Sequence, residues 1–188
     1  VRSSAASDVY KRQIMDKIQT LLSQISLLSK KNNEILEIMG TRFNIFHILG
    51  VSHYENTHST ILAELLNPEG THGLHNSFLK LFLDINQIEG FDSRNALVRT
   101  EVAVSEYGRI DILIESSNWA VIIENKFYAK DQPEQLKRYN EYAIGKYGVG
   151  NYMILYLTPD GRYASDDSGR GVDYRCISCL LYTSDAAD

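Results

Sequence analysis

Two short aliphatic segments that lie close together in the chain constrain its fold most strongly. Residues 109–115 alternate charged and aliphatic side chains, and residues 120–126 form an aliphatic run that ends in charges. Such patterns predict two β-strands, and the short polar link at residues 116–118 suits a hairpin between them. Pairing of the two strands would bring the carboxylates of Asp111 and Glu124 together.

The residue types at these strand ends point to metal-dependent chemistry. Paired carboxylates favour a hard divalent cation, and magnesium needs only one or two of them, together with water and substrate phosphate. Lys126 lies two residues after Glu124 and therefore shares its face of the strand. Its ammonium could stabilise the transition state at a phosphate. Alternatively, these groups are ordinary charges at strand ends, paired in a surface salt bridge that contributes little stability.

Together with its flanking segments, the strand pair resembles the PD-(D/E)XK nuclease superfamily. Residues 131–139 read Asp-Gln-Pro-Glu-Gln-Leu-Lys-Arg-Tyr, which is similar to the Gln-x-x-x-Tyr helix of many members. Upstream, residues 55–68, then His72-Gly73 and Phe78-Leu79, resemble the helical lead-in of one bacterial and phage branch. The motifs occur in the order that the superfamily requires, between Phe43 and Thr158.

The resemblance implies an α/β fold with a restriction-endonuclease-like core, in which a mixed β-sheet is flanked by helices and preceded by an N-terminal helical lead-in. The residue pattern agrees with this order, because helical periodicity comes first and strand-like runs follow. The predicted helices are Ile14–Met39, Ser59–Leu66, Asn76–Ile85 and Pro133–Lys146. The predicted strands are Leu97–Val104, Ile110–Glu115, Ala120–Lys126 and Tyr152–Leu157, and Val172–Ile177 is expected to begin another.

The resemblance also implies an activity, that of a magnesium-dependent nuclease which hydrolyses DNA by a metal-activated water; manganese is a second candidate cation. Asp111, Glu124 and Lys126 would be the catalytic residues. The carboxylates of Asp111 and Glu124 would bind the metal, and the resemblance adds the backbone carbonyl of Asn125 as a ligand. Lys126 would orient the attacking water or neutralise the scissile phosphate.

Four further residues are candidates for the site, and the resemblance implies the roles of Glu55, Gln135 and Tyr139. Glu55 would be another metal ligand, although a glutamate at a helix start also complements the helix dipole. Gln135 and Tyr139 share a helix face because they are four residues apart, and they would contact the active site or the DNA backbone. The alternative for Tyr139 is half-buried packing. His58 is expected to approach phosphate or to cap a local turn.

The two ends of the chain can be encoded by one nucleotide sequence that is read in opposite directions. Residues 3–13 can be encoded by DNA whose reverse complement, read one base in, translates as residues 179–188. This arrangement resembles a transposase-type sequencing adapter, so we expect residues 1–13 and 179–188 to be a library artefact. Residues 14–96 would then be the helical lead-in and residues 97–178 the nuclease core, as one domain without its native termini.

Composition bounds the remaining questions. With 44% hydrophobic and 23% charged residues, the chain is typical of a globular domain, and no apolar run is long enough to span a bilayer. We therefore expect no membrane partner. Cys176 is the only cysteine outside the artefact, which suits a reducing cytoplasm. The net charge of −5 disfavours a broad nonspecific nucleic-acid surface but not a nuclease, whose metal ligands are acidic.

Two other functions fit the same residues. One is a catalytically inactive nucleic-acid-binding module on the same fold. The other is a protein-interaction module built around Ile14–Met39, whose apolar residues recur at helical spacing. That helix would either join two copies in a homodimer or pack on its own domain.

Overall fold

The computed structural model describes residues 15–31, 48–51 and 54–178 of the chain. It divides into two compact units, Val1–Gly50 and Val51–Asp188. In the first unit, residues 15–31 form a helix, α1, and every residue of this helix is exposed. The rest of the predicted Ile14–Met39 helix and both chain ends lie outside the described residues.

The second unit is built around a five-stranded mixed sheet in which the strands follow one another in chain order. Its strands are β1 (Leu97–Ala103), β2 (Arg109–Ser116), β3 (Trp119–Asn125), β4 (Tyr152–Thr158) and β5 (Arg175–Ser178). The first three strands pair antiparallel, whereas β3, β4 and β5 run parallel. The change of direction at β3 makes the sheet mixed, as predicted.

Four helices accompany the sheet: α2 (Glu55–Leu66), α3 (Ser77–Ile85), α4 (Gln135–Tyr147) and the short α5 (Asp166–Gly169). A 3-10 turn at Ser105–Tyr107 joins β1 to β2. The sequence places the start of α2 at Ser59, but the helix begins at Glu55 because the Tyr54 carbonyl already accepts the amides of Thr57 and His58. Glu55 therefore lies in the first turn of a helix. None of the described helices is both long and apolar enough to cross a membrane.

Helices cover both faces of the central strands, which explains why β2 and β3 read as aliphatic runs. On one face, residues of α2 and α3 such as Ala63 and Leu79 cluster with Ile112 and Ile123. On the other face, residues of α4 cluster with residues of β2 and β3: Ile110, Leu113, Ile122, Leu136, Tyr139 and Ala143. Because side chains alternate between the two faces, those near the end of β3 point in turn towards α4 and towards α2.

The turn between β2 and β3 is as short as the polar link predicts. Ser116 pairs with Trp119, and only two residues lie between them. Ser117 takes a left-handed φ of 52°, a backbone conformation that tight hairpin turns use. This hairpin fixes the register of the two strands that carry the acidic residues.

Candidate functional site

The candidate site lies where β2 begins and β3 ends, on the sheet face that α4 covers. The antiparallel register pairs Ile112 with Ile123. Asp111 and Glu124 therefore occupy the adjacent opposite positions of the two strands, and their side chains point to the same face. The Asn125 amide donates to Oδ2 of Asp111 at 2.8 Å, which fixes the Asp111 carboxylate against β3. Asp111 is half-buried, and Glu124 is fully buried.

Lys126 completes this group from the same face of β3. Its Nζ lies 2.6 Å from Oε1 of Glu124, and the two side chains are 6% and 0% exposed. The Lys126 ammonium therefore occupies Oε1 of Glu124, whereas Oε2 has no close polar partner in the hydrogen-bond geometry of the described residues. A buried carboxylate with free lone pairs is costly in an apolar environment and is well suited to binding a cation.

Burial and mutual repulsion alter the protonation of the acidic pair. Burial, reinforced by the neighbouring Asp111 charge, raises the pKa of Glu124 to about 7. Burial also raises the pKa of Asp111 to about 6, against the opposing effects of the Asn125 amide and Lys126. For Lys126, burial opposes the charged form, but the carboxylates of Glu124 and Asp111 outweigh it and raise the pKa of the ammonium. The site therefore holds one firm cation beside two carboxyl groups that titrate near neutral pH.

Gln135 and Tyr139 lie on the face of α4 that covers this group. Gln135 Nε2 donates to the Tyr139 hydroxyl at 3.0 Å, and the hydroxyl donates to the Arg109 carbonyl at the start of β2. Tyr139 is 1% exposed, and burial together with the Glu124 charge raises the pKa of its phenol. The pair thus ties α4 to the strand that carries Asp111.

Asn125 connects the site to the opposite side of the sheet. Its side chain points away from Glu124, towards α2, and its Nδ2 donates to the Glu55 carbonyl at 3.2 Å and to the Ser59 hydroxyl at 3.1 Å. Through its backbone amide it also holds Asp111. One buried residue therefore fixes the end of β3 against both the neighbouring strand and the lead-in helix.

Glu55 lies beside the site, and its carboxylate is engaged by the loop that follows Lys126. Its Oε1 accepts hydrogen bonds from three consecutive amides, those of Phe127, Tyr128 and Ala129, at 2.7, 2.9 and 2.9 Å. Its negative charge acts on both Asp111 and Lys126. The metal-ligand role that the sequence suggests for Glu55 stays a prediction.

His58 lies one helical turn beyond Glu55. Its ring stacks on that of Phe127, with centroids 4.6 Å apart and an interplanar angle of 26°. A phosphate that contacted His58, as predicted, would therefore lie next to the loop whose amides donate to Glu55. All eight residues that the sequence assigns to the site lie around the C-terminal end of β3: Glu55, His58, Asp111, Glu124, Asn125, Lys126, Gln135 and Tyr139.

Three contributions to the site were not anticipated from the sequence. Ser59 anchors the Asn125 amide, and an inward-facing serine on a helix gives no pattern that marks it. The other two are backbone groups, the Arg109 carbonyl and the amides of Phe127–Ala129. Any residue type provides such groups, so the sequence carries no signal for them.

The acidic pair offers oxygen donors of the kind that hard divalent cations bind. Among the described residues, no group of three or more His, Cys, Asp or Glu side chains is arranged to hold a metal ion. A structural zinc site needs four protein ligands. Magnesium can bind through one or two carboxylates, with water and phosphate as its other ligands. Asp111 and Glu124 could provide the two carboxylates.

Comparison with known proteins identifies a family. A family model described as the PD-(D/E)XK nuclease superfamily matches residues 43–181 of the chain. Neither the curated proteins nor the solved structures yield a match to it. The matched region contains all eight predicted site residues and the whole of the sheet.

Proposed function

The chain belongs to the PD-(D/E)XK nuclease superfamily, and on that premise we propose that it is a magnesium-dependent nuclease that hydrolyses phosphodiester bonds of DNA. One observation carries the proposal: the half-buried carboxyl group of Asp111 and the fully buried one of Glu124 adjoin a buried lysine on one face of paired strands. A structural ion pair needs one acid for one base. The second acid leaves an excess of negative charge that suits a divalent cation.

Asp111 and Glu124 would hold the metal through their carboxylates, with the Asn125 backbone carbonyl as a further ligand. Glu55 stays a candidate fourth ligand, with manganese as an alternative to magnesium. When bound, the metal would polarise the scissile phosphate and lower the pKa of a coordinated water. The Asn125 amide keeps the Asp111 carboxylate in place for this role.

Lys126 would act on the reacting phosphate. Its ammonium stays protonated because the two carboxylates raise its pKa. A fixed cation in a site of low polarity stabilises negative charge that develops on phosphate oxygens more strongly than one in water does. The same ammonium can orient the attacking water by donating to it.

Gln135 and Tyr139 would support the active site more than they would touch the substrate. Both are nearly fully buried, and the Tyr139 hydroxyl spans from α4 to the start of β2. That contact would fix the strand on which Asp111 lies. His58, beside the loop at Phe127, would be the phosphate-contacting residue of the three.

Cleavage of nucleic acid tests the proposal directly. We expect the folded protein to degrade supercoiled and linear DNA in magnesium and to leave both intact in EDTA, with the products resolved on gels. An RNA of the same sequence measures the preference for DNA. Absence of cleavage of any of these substrates in magnesium or manganese, by a protein with a cooperative thermal transition, would reject the nuclease assignment in favour of a binding module.

We further propose that the protein forms a homodimer through α1. Ile18 and Ile25 fall at the a positions of a heptad pattern, Leu21 and Leu28 fall at d, and Asn32 falls at the next a. Isoleucine at a with leucine at d favours two parallel strands, and one asparagine at a sets their register. The four apolar side chains are 44–66% exposed, and a helix of this length is marginal without a packing partner.

Sedimentation equilibrium tests the dimer. Ile25→Asp should weaken it by roughly 100-fold or more, because each subunit would bury an unpaired charge. Ser26→Asp adds the same charge at the outward b position and should leave the dimer intact. A wild-type protein that is monomeric at every concentration would favour packing of this helix on its own domain.

We also propose a reducing compartment, the cytoplasm, as the location of the protein. Cys176 is a free thiol and is the only cysteine among the described residues. Recovery of the native protein from an oxidising compartment in cell fractionation would contradict this.

A further inference from the structure

The loop that directly follows Lys126 presents three consecutive backbone amides to a single point. The amides of Phe127, Tyr128 and Ala129 converge on Oε1 of Glu55 at 2.7–2.9 Å. We call these three groups the amide nest. The three amides belong to a bend, and their common acceptor is the Glu55 side chain.

An arrangement of this kind selects for an oxyanion. Successive amides that point into one concavity form an anion site, because their dipoles add and their donors fit an oxygen with several lone pairs. A carboxylate oxygen and a non-bridging phosphate oxygen are equivalent acceptors for such donors. Glu55 thus shows what kind of group the amide nest binds.

The position of the amide nest places it where a substrate phosphate would pass. It begins one residue after Lys126, and its Phe127 ring carries the stacked His58. It is also open to solvent, since Tyr128 is 67% exposed and Glu55 is only partly buried. A ligand can therefore reach the donors without unfolding the loop.

We propose that the amide nest binds a phosphate oxygen of the nucleic-acid strand and that Glu55 occupies it as an internal stand-in when no substrate is present. This inference rests on the proposed nuclease function. Two anions cannot share one oxygen site, so the substrate phosphate must displace the carboxylate. The exchange replaces one charged acceptor by another and leaves no amide unpaired, which keeps its cost low. It also frees Glu55 for the metal-ligand role predicted from the sequence.

Thermal denaturation with inorganic phosphate in EDTA tests the amide nest without any metal. In Glu55→Ala the amides lose their internal acceptor, and we expect phosphate to raise the melting temperature saturably by several degrees more than it does in the wild type. Glu64→Ala is the matched control, because Glu64 lies on the same helix and its Oε1 also caps a loop, through the amide and hydroxyl of Thr71 at 2.6 and 2.7 Å. Equal responses of the two variants would overturn the proposal.

A second variant covers the case in which Glu55→Ala does not fold. Glu55→Gln keeps an acceptor oxygen for the loop but removes its charge. By fluorescence anisotropy in EDTA, a short single-stranded DNA should bind this variant roughly tenfold more tightly than the wild type, since a neutral acceptor is easier to displace. Unchanged or weaker binding would refute the stand-in role. If neither the wild type nor either variant bound DNA, while Glu55→Ala still responded to phosphate, the proposed nuclease function would be rejected. The anion site would then stand on its own.

Discussion

Lys126→Met is expected to slow DNA cleavage by about 10²–10⁴-fold, the usual range for a group that transfers or stabilises charge in the transition state. Methionine keeps the length and flexibility of the lysine stem, so the buried position stays filled. Only the ammonium disappears from its place 2.6 Å from Glu124. The rate should be measured in single-turnover experiments at pH 8, where both carboxyl groups are ionised.

The control for this variant is Lys137→Met. Lys137 lies on α4, its side chain is 38% exposed, and its Nζ lies 3.4 Å from the exposed Glu134 carboxylate. Lys137→Met removes the same charge from the surface. Its cleavage rate should stay within about twofold of the wild-type rate, because an exposed ion pair contributes little energy. If Lys126→Met stayed folded and cleaved as fast as the wild type, the lysine would be a structural partner of Glu124 and no more.

Glu124→Gln is expected to abolish the stabilisation of the protein by magnesium and to remove the part of the pH dependence of its stability that Glu124 contributes. In the metal-free wild type, folding raises the pKa of Glu124 from 4.5 to about 7 and that of Asp111 from 3.8 to about 6. The folded protein therefore binds more protons than the unfolded chain between about pH 4 and pH 7. Stability contributed by these groups is complete below the lower values and is lost as the pH rises through the higher ones.

Thermal unfolding in EDTA from pH 5 to pH 8 measures this effect. Each tenfold change in proton affinity corresponds to about 1.4 kcal/mol, so the wild type should lose on the order of a few kcal/mol over this range. Magnesium should restore stability at pH 8, because it neutralises the ionised pair. Glutamine resembles the protonated acid, so Glu124→Gln should show a flatter profile and little response to the metal.

The matched control for this variant is Glu106→Gln, which changes an exposed acid on the 3-10 turn. It should retain the full magnesium response and the wild-type pH profile. A magnesium response that survives in Glu124→Gln would move the metal away from this residue and leave Glu124 as a buried partner of Lys126 alone.

Period-two alternation explains how much of the site the sequence could predict. Asp111, Glu124 and Lys126 could be placed on one face of paired strands because alternation and a short turn determine which side chains face each other. The helix spacing of Gln135 and Tyr139 likewise placed both residues on one face of α4, where they hydrogen-bond to each other. The predicted strand order and the mixed sheet flanked by helices are confirmed by the structure and by the family match.

The contacts that cross from the lead-in helix to the sheet could not be predicted in this way. Glu55 and the amides that donate to it are 72 to 74 positions apart in the chain. No local periodicity relates residues at such a separation. The alternative that Glu55 merely complements a helix dipole uses only local information. The actual partners of Glu55 depend on the packing of α2 against the end of β3.

The connections of Asn125 imply an order in which this protein acquires its chemistry during synthesis. Its contacts reach 14 positions back to Asp111, and 66 and 70 positions back to Ser59 and Glu55. The next amide, that of Lys126, bonds forward to the Leu157 carbonyl of the parallel strand β4. Such non-local contacts form late in folding, because loop closure must precede them. A nascent chain that has not yet released β4 from the ribosome therefore lacks contacts that fix the candidate site.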